Sequence, residues 1–322
     1  MSGKNKTIVV TGATGAQGGG LLRAILDDPQ KQFQARALTR NPNSDKAKAL
    51  AALGADVVQA DLDDLQSLQA AFAGAYGAYC VTNFWEHFSP EKELAQAKNL
   101  AVAASETGLQ HVIWSTLEDT RKWVPLSDAR MPTLMGNYKV PHFDAKGEAD
   151  HEFSDRGVPT TFLLTSFYWD NLAYFGMEPK RGADGVLEFV LPMANKPLPG
   201  IAAVDIGRCA FGVFQRGTDL IGKTVGIAGE ILTGEQMAAA LGKAFGEPVR
   251  YVAMAHDAYR ALGFPGAEDL GNMFQFKTDF NDVFCGARDL GISRALNPAL
   301  MTFDDWLAAN HDAIPIAKSG DA

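Results

Sequence analysis

The stretch TIVVTGATGAQGGG, residues 7–20, decides the fold of this chain. A β-branched apolar run at 8–10 predicts a buried strand, and an apolar helical pattern follows the last glycine. A strand that passes through a glycine-rich turn into a helix presents backbone N–H groups to the pyrophosphate of a dinucleotide. Gly12 permits the tight turn, Gly15 lets phosphate approach the backbone, and Gly18 lets the helix pack closely. The contacts predicted from this turn are Gly12, Thr14, Gly15, Ala16, Gln17 and Gly18.

The composition is typical of a soluble globular protein, with 322 residues, 47% apolar content and a net charge of −9. The acidic balance and the lack of a Lys/Arg-rich block argue against direct binding of nucleic acid. Cys80, Cys209 and Cys285 are far apart in sequence, which favours buried thiols over a metal or redox site. The chain enters its first strand directly and contains no apolar run of membrane-spanning length. We therefore expect no signal peptide, no membrane contact and a cytoplasmic location, or a nuclear one in a eukaryote.

Strand and helix patterns alternate along the first half of the chain. Strands are predicted at 33–38, 55–60, 78–82, 111–115 and 160–165, with helices at 45–53, 65–72, 90–107 and 141–154. This alternation indicates βαβ units joined by right-handed crossovers. We therefore predict an α/β fold built on a Rossmann doubly wound parallel sheet. The polar stretch 116–138 follows the fifth strand and is predicted to be a functional or mobile loop.

The pattern changes after residue 166. Residues 167–200 are rich in aromatics, glycine and proline, whereas 201–206, a helix to 216 and a strand at 224–228 return to the core pattern. We predict a dinucleotide-binding domain from 1–166 plus about 201–229. A smaller, interleaved α/β C-terminal domain for a substrate or partner takes about 167–200 plus 230–322. The elements predicted in its second part are a helix at 233–245, a strand at 249–254, a helix at 256–262, a helical lobe and a disordered tail near 319.

The second strand indicates which dinucleotide binds. NAD-binding turns usually have an acidic residue at the end of this strand, whereas this chain has Thr39 and Arg40. A guanidinium suits a 2′-phosphate in charge and in donor geometry, and Lys46 adds a second cation. We therefore predict NADP(H) rather than NAD(H), the alternative being that Arg40 is only a solvated loop charge. Further contacts are expected from Asp61 and Leu62 beside the adenine, and from Thr82 and Asn83 toward the nicotinamide.

The proton-transfer group expected of a short-chain dehydrogenase is missing. That group is a Tyr four residues before a Lys, and none of the seven tyrosines has a Lys at that spacing. Lys146 is predicted to contact the nicotinamide ribose, with His142 one helical turn earlier as a candidate proton donor. The alternatives are an exposed helix lysine and a structural histidine. Tyr138 in the preceding loop, and Ser115 and Thr116 at the end of the fifth strand, are further candidates for the site.

Several motifs together resemble the NmrA-like family of atypical short-chain dehydrogenases, and most of all its animal NADP-sensing member. They are TGATGAQGG at 11–19, LTRNP at 38–42, DLDD at 61–64, VTNFWE at 81–86, HFDAKGE at 142–148 and GFPGAEDLGNMFQF at 263–276. The resemblance implies a Rossmann domain, a smaller interleaved domain, a cleft between them and bound NADP(H). It supports the glycines of the turn, Arg40 and Lys146 as cofactor contacts, and implies that Phe167 and Tyr168 line the cleft. The chain departs from the family pattern at 163–166.

Two functions follow from these observations. The first is a redox sensor or regulator that responds to NADP(H) occupancy and acts through a protein partner, as the resemblance implies for several family members. The alternative is an NADPH-dependent reductase of a small carbonyl, quinone or aromatic substrate in the interdomain cleft, with Lys146 or His142 in the proton relay. The glycine turn disfavours a scaffold without a ligand. We expect no metal, and either a monomer or a homodimer.

Overall fold

The structure is a computed structural model that describes residues 6–316. The tail predicted near residue 319 lies outside the described residues. The strands, numbered in chain order, are β1 Lys6–Val10, β2 Phe33–Thr39, β3 Asp56–Gln59, β4 Gly77–Cys80, β5 His111–Thr116, β6 Thr160–Leu164, β7 Phe167–Tyr168, β8 Lys180–Arg181, β9 Leu187–Leu191, β10 Leu198–Ile201, β11 Thr224–Gly226, β12 Glu230–Leu232 and β13 Val249–Ala253.

The helices pack around these strands and carry much of the second half of the chain. They are α1 Ala16–Asp27, α2 Asp45–Ala52, α3 Leu65–Phe72, α4 Pro90–Glu106, α5 Pro141–Glu148, α6 Asp150–Ser154, α7 Asn171–Tyr174, α8 Ala203–Gln215, α9 Gly234–Phe245, α10 His256–Arg260, α11 Ala267–Asp279, α12 Asn281–Gly286, α13 Leu290–Leu296 and α14 Phe303–Asn310, with short 3-10 helices at Phe84–Glu86, Thr120–Lys122 and His311–Ala313. Within the described residues, none of these helices combines the length and apolarity needed to cross a membrane.

The predicted doubly wound sheet is confirmed. Seven parallel strands lie in the order β11-β6-β5-β4-β1-β2-β3, so the strand order reverses between β1 and β4. Successive residues of β1 face opposite layers, because Ile8 and Val10 pack with α1 and α8 whereas Val9 packs with α3 and α4. In such a sheet a ligand binds beyond the carboxyl ends of the strands at the point of reversal. This rule places the candidate site above β1 and β4.

Two small sheets follow in the second half of the chain. One has the order β12-β10-β7 and the other β13-β9-β8, and both combine one parallel and one antiparallel pairing. A separate apolar cluster that includes Phe189, Trp169, Phe274 and Trp306 surrounds them. These elements match the smaller α/β region predicted after residue 166. The division into two interleaved domains at the predicted boundaries stays a prediction.

Residues 201–206, which the sequence assigned to the core pattern without a specific element, are divided between a strand that ends at Ile201 and a helix that begins at Ala203. β10 also joins a small sheet rather than the large one. The local sequence does not indicate where this helix begins, because the residue before it, Ala202, has no side chain that can hydrogen-bond to the first turn. Instead, the backbone N–H of Ala203 donates to Oδ2 of the distant Asp170 at 2.8 Å. The helix predicted at 141–154 is likewise divided, into α5 and α6, at Ala149.

Helices α1 and α8 approach each other closely through two glycines. A Cβ on Gly207 would lie 2.0 Å from the backbone nitrogen of Leu21, and one on Gly20 would lie 2.6 Å from the carbonyl oxygen of Val204. Both distances are far below van der Waals contact and both involve backbone, which cannot rotate away. The contact therefore holds the helix that follows the glycine turn against the sheet.

We expect Gly207→Ala to destabilise the protein by about 1–3 kcal/mol, because the added methyl group forces α1 and α8 apart. Urea unfolding followed by circular dichroism measures this change. Gly286→Ala is the matched control, since a Cβ there would meet nothing within 4 Å among the described residues. The control is expected to stay within about 0.5 kcal/mol of the parent. Equal stability of the two variants would contradict the role given to this contact.

Candidate functional site

The glycine turn between β1 and α1 has the geometry that a pyrophosphate needs. Gly12 has a positive φ of 58°, and a Cβ on Gly18 would lie 2.5 Å from the carbonyl oxygens of Thr11 and Gly12. Gly15 caps α1 without any side-chain bond, and the first turn of that helix contains no acidic residue. Thr14, Gly15 and Ala16 are exposed. The uncapped N–H groups and the positive end of the helix dipole therefore fit an anion.

Gln17 links the turn to three strands. Its Oε1 accepts hydrogen bonds from the hydroxyls of Tyr79 and of Ser115, the latter at 2.8 Å. Its Nε2 donates to the hydroxyl of Tyr168 in β7. The structure thus brings together three residues of the predicted site, Gln17, Ser115 and Tyr168. It also adds Tyr79, whose buried side chain the sequence gave no reason to include.

Arg40, the residue predicted to bind the 2′-phosphate, is paired with a carboxylate. Its Nη1 donates to Oε1 of Glu86, and the two side chains are 64% and 47% exposed. The hydrogen bond and the charge of Glu86 raise the pKa of Arg40, with a smaller contribution from the charge of Asp61. The predicted adenine neighbour Leu62 is partly buried, and its carbonyl oxygen accepts a hydrogen bond from Asn99.

Lys146, on α5, lies in a buried polar cluster. Its Nζ donates to Oγ1 of Thr82 at 2.6 Å, to the carbonyl oxygen of Thr82 at 3.2 Å and to Oε1 of Glu93 at 2.5 Å. It also lies 5.3 Å from the ring centre of Trp114. The alternative of an exposed helix lysine is therefore wrong, because Lys146 is only 9% exposed.

Glu93 is the central anion of this cluster, and its side chain is completely buried. Burial alone would raise the pKa of its carboxyl group. The charge of Lys146 and the neighbouring His87 and Thr82 outweigh burial and hold that pKa at about 2. Nε2 of His87 lies 3.4 Å from Oε2 of Glu93. Glu93 is therefore ionised at neutral pH and fixes the position of the Lys146 ammonium.

His142 forms a dyad with an aspartate from α11. Its Nδ1 lies 2.7 Å from Oδ1 of Asp269, and its backbone N–H donates to Oδ2 of the same carboxylate at 3.1 Å. Both side chains are buried, and the imidazole centroid lies 4.7 Å from that of Trp85. The Asp269 carboxylate orients the ring and leaves Nε2 as the nitrogen available for chemistry. Asp269 belongs to the motif GFPGAEDLGNMFQF, which gave no indication of this role.

The other predicted residues lie around these clusters. Asn83 is exposed and precedes the 3-10 helix at Phe84–Glu86. Phe167 is buried in the second apolar cluster. Thr116 donates to Asp150 at 2.6 Å and to the backbone carbonyl oxygen of Lys146 at 3.2 Å, whereas Tyr138 lies 5.0 Å from the guanidinium of Arg121. Within those residues, no group of three or more His, Cys, Asp or Glu side chains is arranged to hold a metal ion.

Two NmrA-like oxidoreductases are similar to this chain over most of its length. The NmrA-like family domain-containing oxidoreductase ptmS of Penicillium ochrochloron is 26% identical over 342 aligned positions, which cover 96% of this chain and 98% of the relative. The NmrA-like family domain-containing oxidoreductase cpsB of Aspergillus campestris is 30% identical over 300 aligned positions, which cover 88% of this chain and 86% of the relative.

Solved structures share the fold. NmrA, a negative transcriptional regulator solved in complex with NADP, superposes with a TM-score of 0.76 at 24% identity, covering 94% of this chain and 95% of that one. A triphenylmethane reductase of a Citrobacter species, complexed with NADP(H), superposes with a TM-score of 0.74 at 19% identity over 94% of this chain and 99% of that one. A sequence model of the NmrA-like family matches residues 4–307. Since this match spans nearly the whole length, the chain belongs to the NmrA-like family.

Proposed function

We propose that this protein binds NADP(H) and acts as a redox sensor, an atypical short-chain dehydrogenase without the catalytic Tyr. One observation carries the proposal. Arg40 and Lys146, the two cations expected to hold the cofactor, both bind glutamates from one short stretch, residues 82–93, which we call the 82–93 segment. Glu86 belongs to its 3-10 helix and Glu93 to the first turn of α4. Cofactor binding at both ends of the site therefore acts on the same segment.

The two ion pairs respond differently to a ligand. The Arg40–Glu86 pair is exposed, and pairs of that kind are worth about 0–1 kcal/mol. A 2′-phosphate carries more charge and more acceptors than a carboxylate, so Arg40 exchanges Glu86 for the phosphate. Lys146 keeps its buried partner Glu93, because breaking a buried pair costs about 3–5 kcal/mol. It turns toward the ribose by giving up the longest of its bonds, the one to the carbonyl oxygen of Thr82.

Release of Glu86 changes a surface that a partner protein can recognise. The same 3-10 helix and the residues after it contain Trp85 and Phe88, both 37% exposed. A Cβ on Gly266 would lie 2.8 Å from the Trp85 ring, so this aromatic pair rests on the loop before α11. The regulator NmrA, which has been solved with NADP and with NAD, supports a sensing role by analogy.

Arg40→Glu is expected to weaken NADPH binding by about 2–4 kcal/mol, because it replaces the cation at the 2′-phosphate with an anion. NADH binding should barely change. Isothermal titration of both cofactors measures the difference. Arg130→Glu is the matched control, since Arg130 is a 67% exposed arginine whose carboxylate partner, Asp128, lies outside the candidate site. Equal loss of both cofactors would show that Arg40 does not read the 2′-phosphate.

Hydrogen exchange tests the response of the 82–93 segment. NADPH is expected to slow amide exchange at residues 12–18 and to speed it at 84–88, where Glu86 loses Arg40. Glu86→Gln should speed exchange at 84–88 without ligand and tighten NADPH binding by about twofold to fivefold, the range expected when a weak surface pair no longer competes. Glu91→Gln, which removes an exposed charge bonded only to Ser89 among the described residues, is the control. Protection at 12–18 with unchanged exchange at 84–88 would rule out this readout.

The second candidate function is an NADPH-dependent reductase, and the His142–Asp269 dyad favours it. When bound, NADPH supplies a hydride. His142 is then the proton donor at Nε2, because Nδ1 is directed at Asp269. Lys146 orients the ribose through the position that Glu93 and Thr82 give it. The names of the relatives ptmS and cpsB, both oxidoreductases, support this alternative by analogy.

For the reductase, His142→Gln is expected to lower kcat by about a hundredfold or more, the usual contribution of a positioned acid. NADPH affinity should be unchanged, since His142 is assigned no cofactor contact. Steady-state NADPH oxidation with a panel of aldehydes, ketones and quinones provides the measurement. The control is His151→Gln, an exposed histidine on α6. If His142→Gln turns over substrate as fast as the parent protein, His142 is not the proton donor. If the parent protein shows no turnover with any substrate, the redox sensor is the remaining proposal.

A further inference from the structure

Four large apolar side chains are exposed on two segments of the chain that contact each other. Trp85 and Phe88 belong to the 82–93 segment, and each is 37% exposed. Leu262 and Phe264 lie in the loop between α10 and α11 and are 51% and 39% exposed. The two segments meet at Gly266, because a Cβ there would lie 2.8 Å from the Trp85 ring and 3.4 Å from the Phe88 ring. We call these four side chains the apolar patch.

Each exposed ring of the apolar patch is supported by a buried ring. The ring of Phe84, which is 1% exposed, has its centre 5.5 Å from that of Trp85 and 6.3 Å from that of Phe88. The buried ring of Tyr259 lies 5.8 Å from that of Phe264. These contacts hold the exposed rings in place, which reduces the entropy that is lost when a partner covers them.

The backbone at Phe88 is strained. Its φ of 53° lies in the left-handed region, which a bulky residue seldom adopts. The surrounding backbone is nevertheless well bonded, since the N–H of Phe88 donates to the carbonyl oxygen of Phe84 at 2.8 Å and the N–H of Ser89 donates to Nδ1 of His87 at 3.1 Å. A phenylalanine here costs conformational free energy and leaves its ring partly in water. Its side chain therefore points to a role in recognition rather than in folding.

The charges around the apolar patch are mainly negative. Four exposed carboxylates lie within residues 83–92 and 256–268, namely those of Glu86, Glu91, Asp257 and Glu268. The exposed cation of these ranges, Lys92, is already paired with Asp63 at 2.9 Å. The side chain of Arg260 is only 11% exposed and is bonded to Asp257 and to two side chains of α11. A protein that covers the patch therefore meets negative charge, which favours a basic partner.

The same charges argue against other occupants of an apolar surface. In a two-fold dimer the patch would face its own copy, and the acidic residues of the two chains would be brought together. An anionic membrane surface would be repelled in the same way. None of the four side chains belongs to a strand, so a partner cannot add a strand to a sheet here. A helix with one apolar face and neighbouring cations fits both the rings and the charges.

We propose that the apolar patch docks an amphipathic helix of a partner protein, with apolar side chains against Trp85, Phe88 and Phe264 and with lysine or arginine side chains beside the acidic residues. This inference rests on the proposed sensor function and names the chemistry of its partner. Glu86 lies between Trp85 and Phe88 in the chain and is paired with Arg40. When Arg40 exchanges Glu86 for the 2′-phosphate, Glu86 pairs with a cation of the helix, so NADP(H) strengthens docking.

Fluorescence anisotropy with a labelled leucine–lysine peptide of about 16 residues, long enough to form a helix with one leucine face, tests the surface. The parent protein is expected to bind this peptide about tenfold or more tightly than a leucine–glutamate peptide of the same pattern. Trp85→Ser and Phe88→Asn should each weaken binding by about tenfold or more, as aromatic side chains at the centre of an interface do. Phe175→Ser is the matched control, since Phe175 is a 69% exposed phenylalanine outside the patch.

Two further measurements separate recognition from folding and from the cofactor. Phe88→Asn is expected to keep the urea midpoint close to that of the parent, because asparagine adopts a φ of 53° more readily and this offsets the lost ring contacts. Saturating NADPH should tighten binding of the leucine–lysine peptide by about twofold to fivefold, the range of a surface ion pair. Glu86→Gln should lose this response.

Equal binding of the two peptides would overturn the proposal, and so would equal binding of the leucine–lysine peptide by the parent, Trp85→Ser and Phe88→Asn. A dimer in sedimentation that Trp85→Ser converts to a monomer would also overturn it, because the occupant would then be a second copy of this chain. If both variants weaken binding but NADPH has no effect on the parent, the patch is supported and the coupling through Glu86 is wrong. Titration of NADPH without peptide tests cofactor binding separately, so failure of the docking surface and failure of the sensor are distinguishable.

Discussion

The close approach of backbone to backbone at Gly18 is the constraint on which the rest of the structure depends. A Cβ at this position would lie 2.5 Å from two carbonyl oxygens, so the start of α1 reaches the turn only without a side chain. Gly20 on α1 and Gly207 on α8 allow a similarly close approach where these two helices meet. Together these contacts hold the N-terminus of α1 at the carboxyl edge of the sheet. Every other part of the candidate site is arranged relative to that end.

Charges are distributed unequally along the site. The Arg40–Glu86 pair is exposed to solvent, whereas the Lys146–Glu93 pair is buried and keeps Lys146 in place. Under the proposed function, the exposed pair sets the selectivity between NADP(H) and NAD(H), and the buried pair sets the position of Lys146. Both glutamates come from the 82–93 segment, which makes this short stretch the common partner of the two cations that we propose to hold the cofactor.

The sequence predicted the elements that depend on neighbouring residues, but it did not predict contacts between residues that are distant in the chain. The β1–turn–α1 unit follows from residues close in sequence, and the offset of Arg40 from the turn located it at the end of β2. The partners of the two cations were not foreseen, because Glu86 lies 46 residues from Arg40 and Glu93 lies 53 residues from Lys146. The start of α8 was not predicted for the same reason, since the carboxylate that bonds its first N–H belongs to Asp170, 33 residues away in the chain.

The amide of Gln17 has a consequence for how the two sheets communicate. It belongs to the first turn of α1, yet it bonds Tyr79 and Ser115 of the large sheet and Tyr168 of a small one. A displacement of the helix end by even a fraction of an ångström must lengthen one of these bonds or carry its partner along. One side chain thus couples the glycine turn directly to the aromatic strand β7, so that the two must move together without any intervening loop.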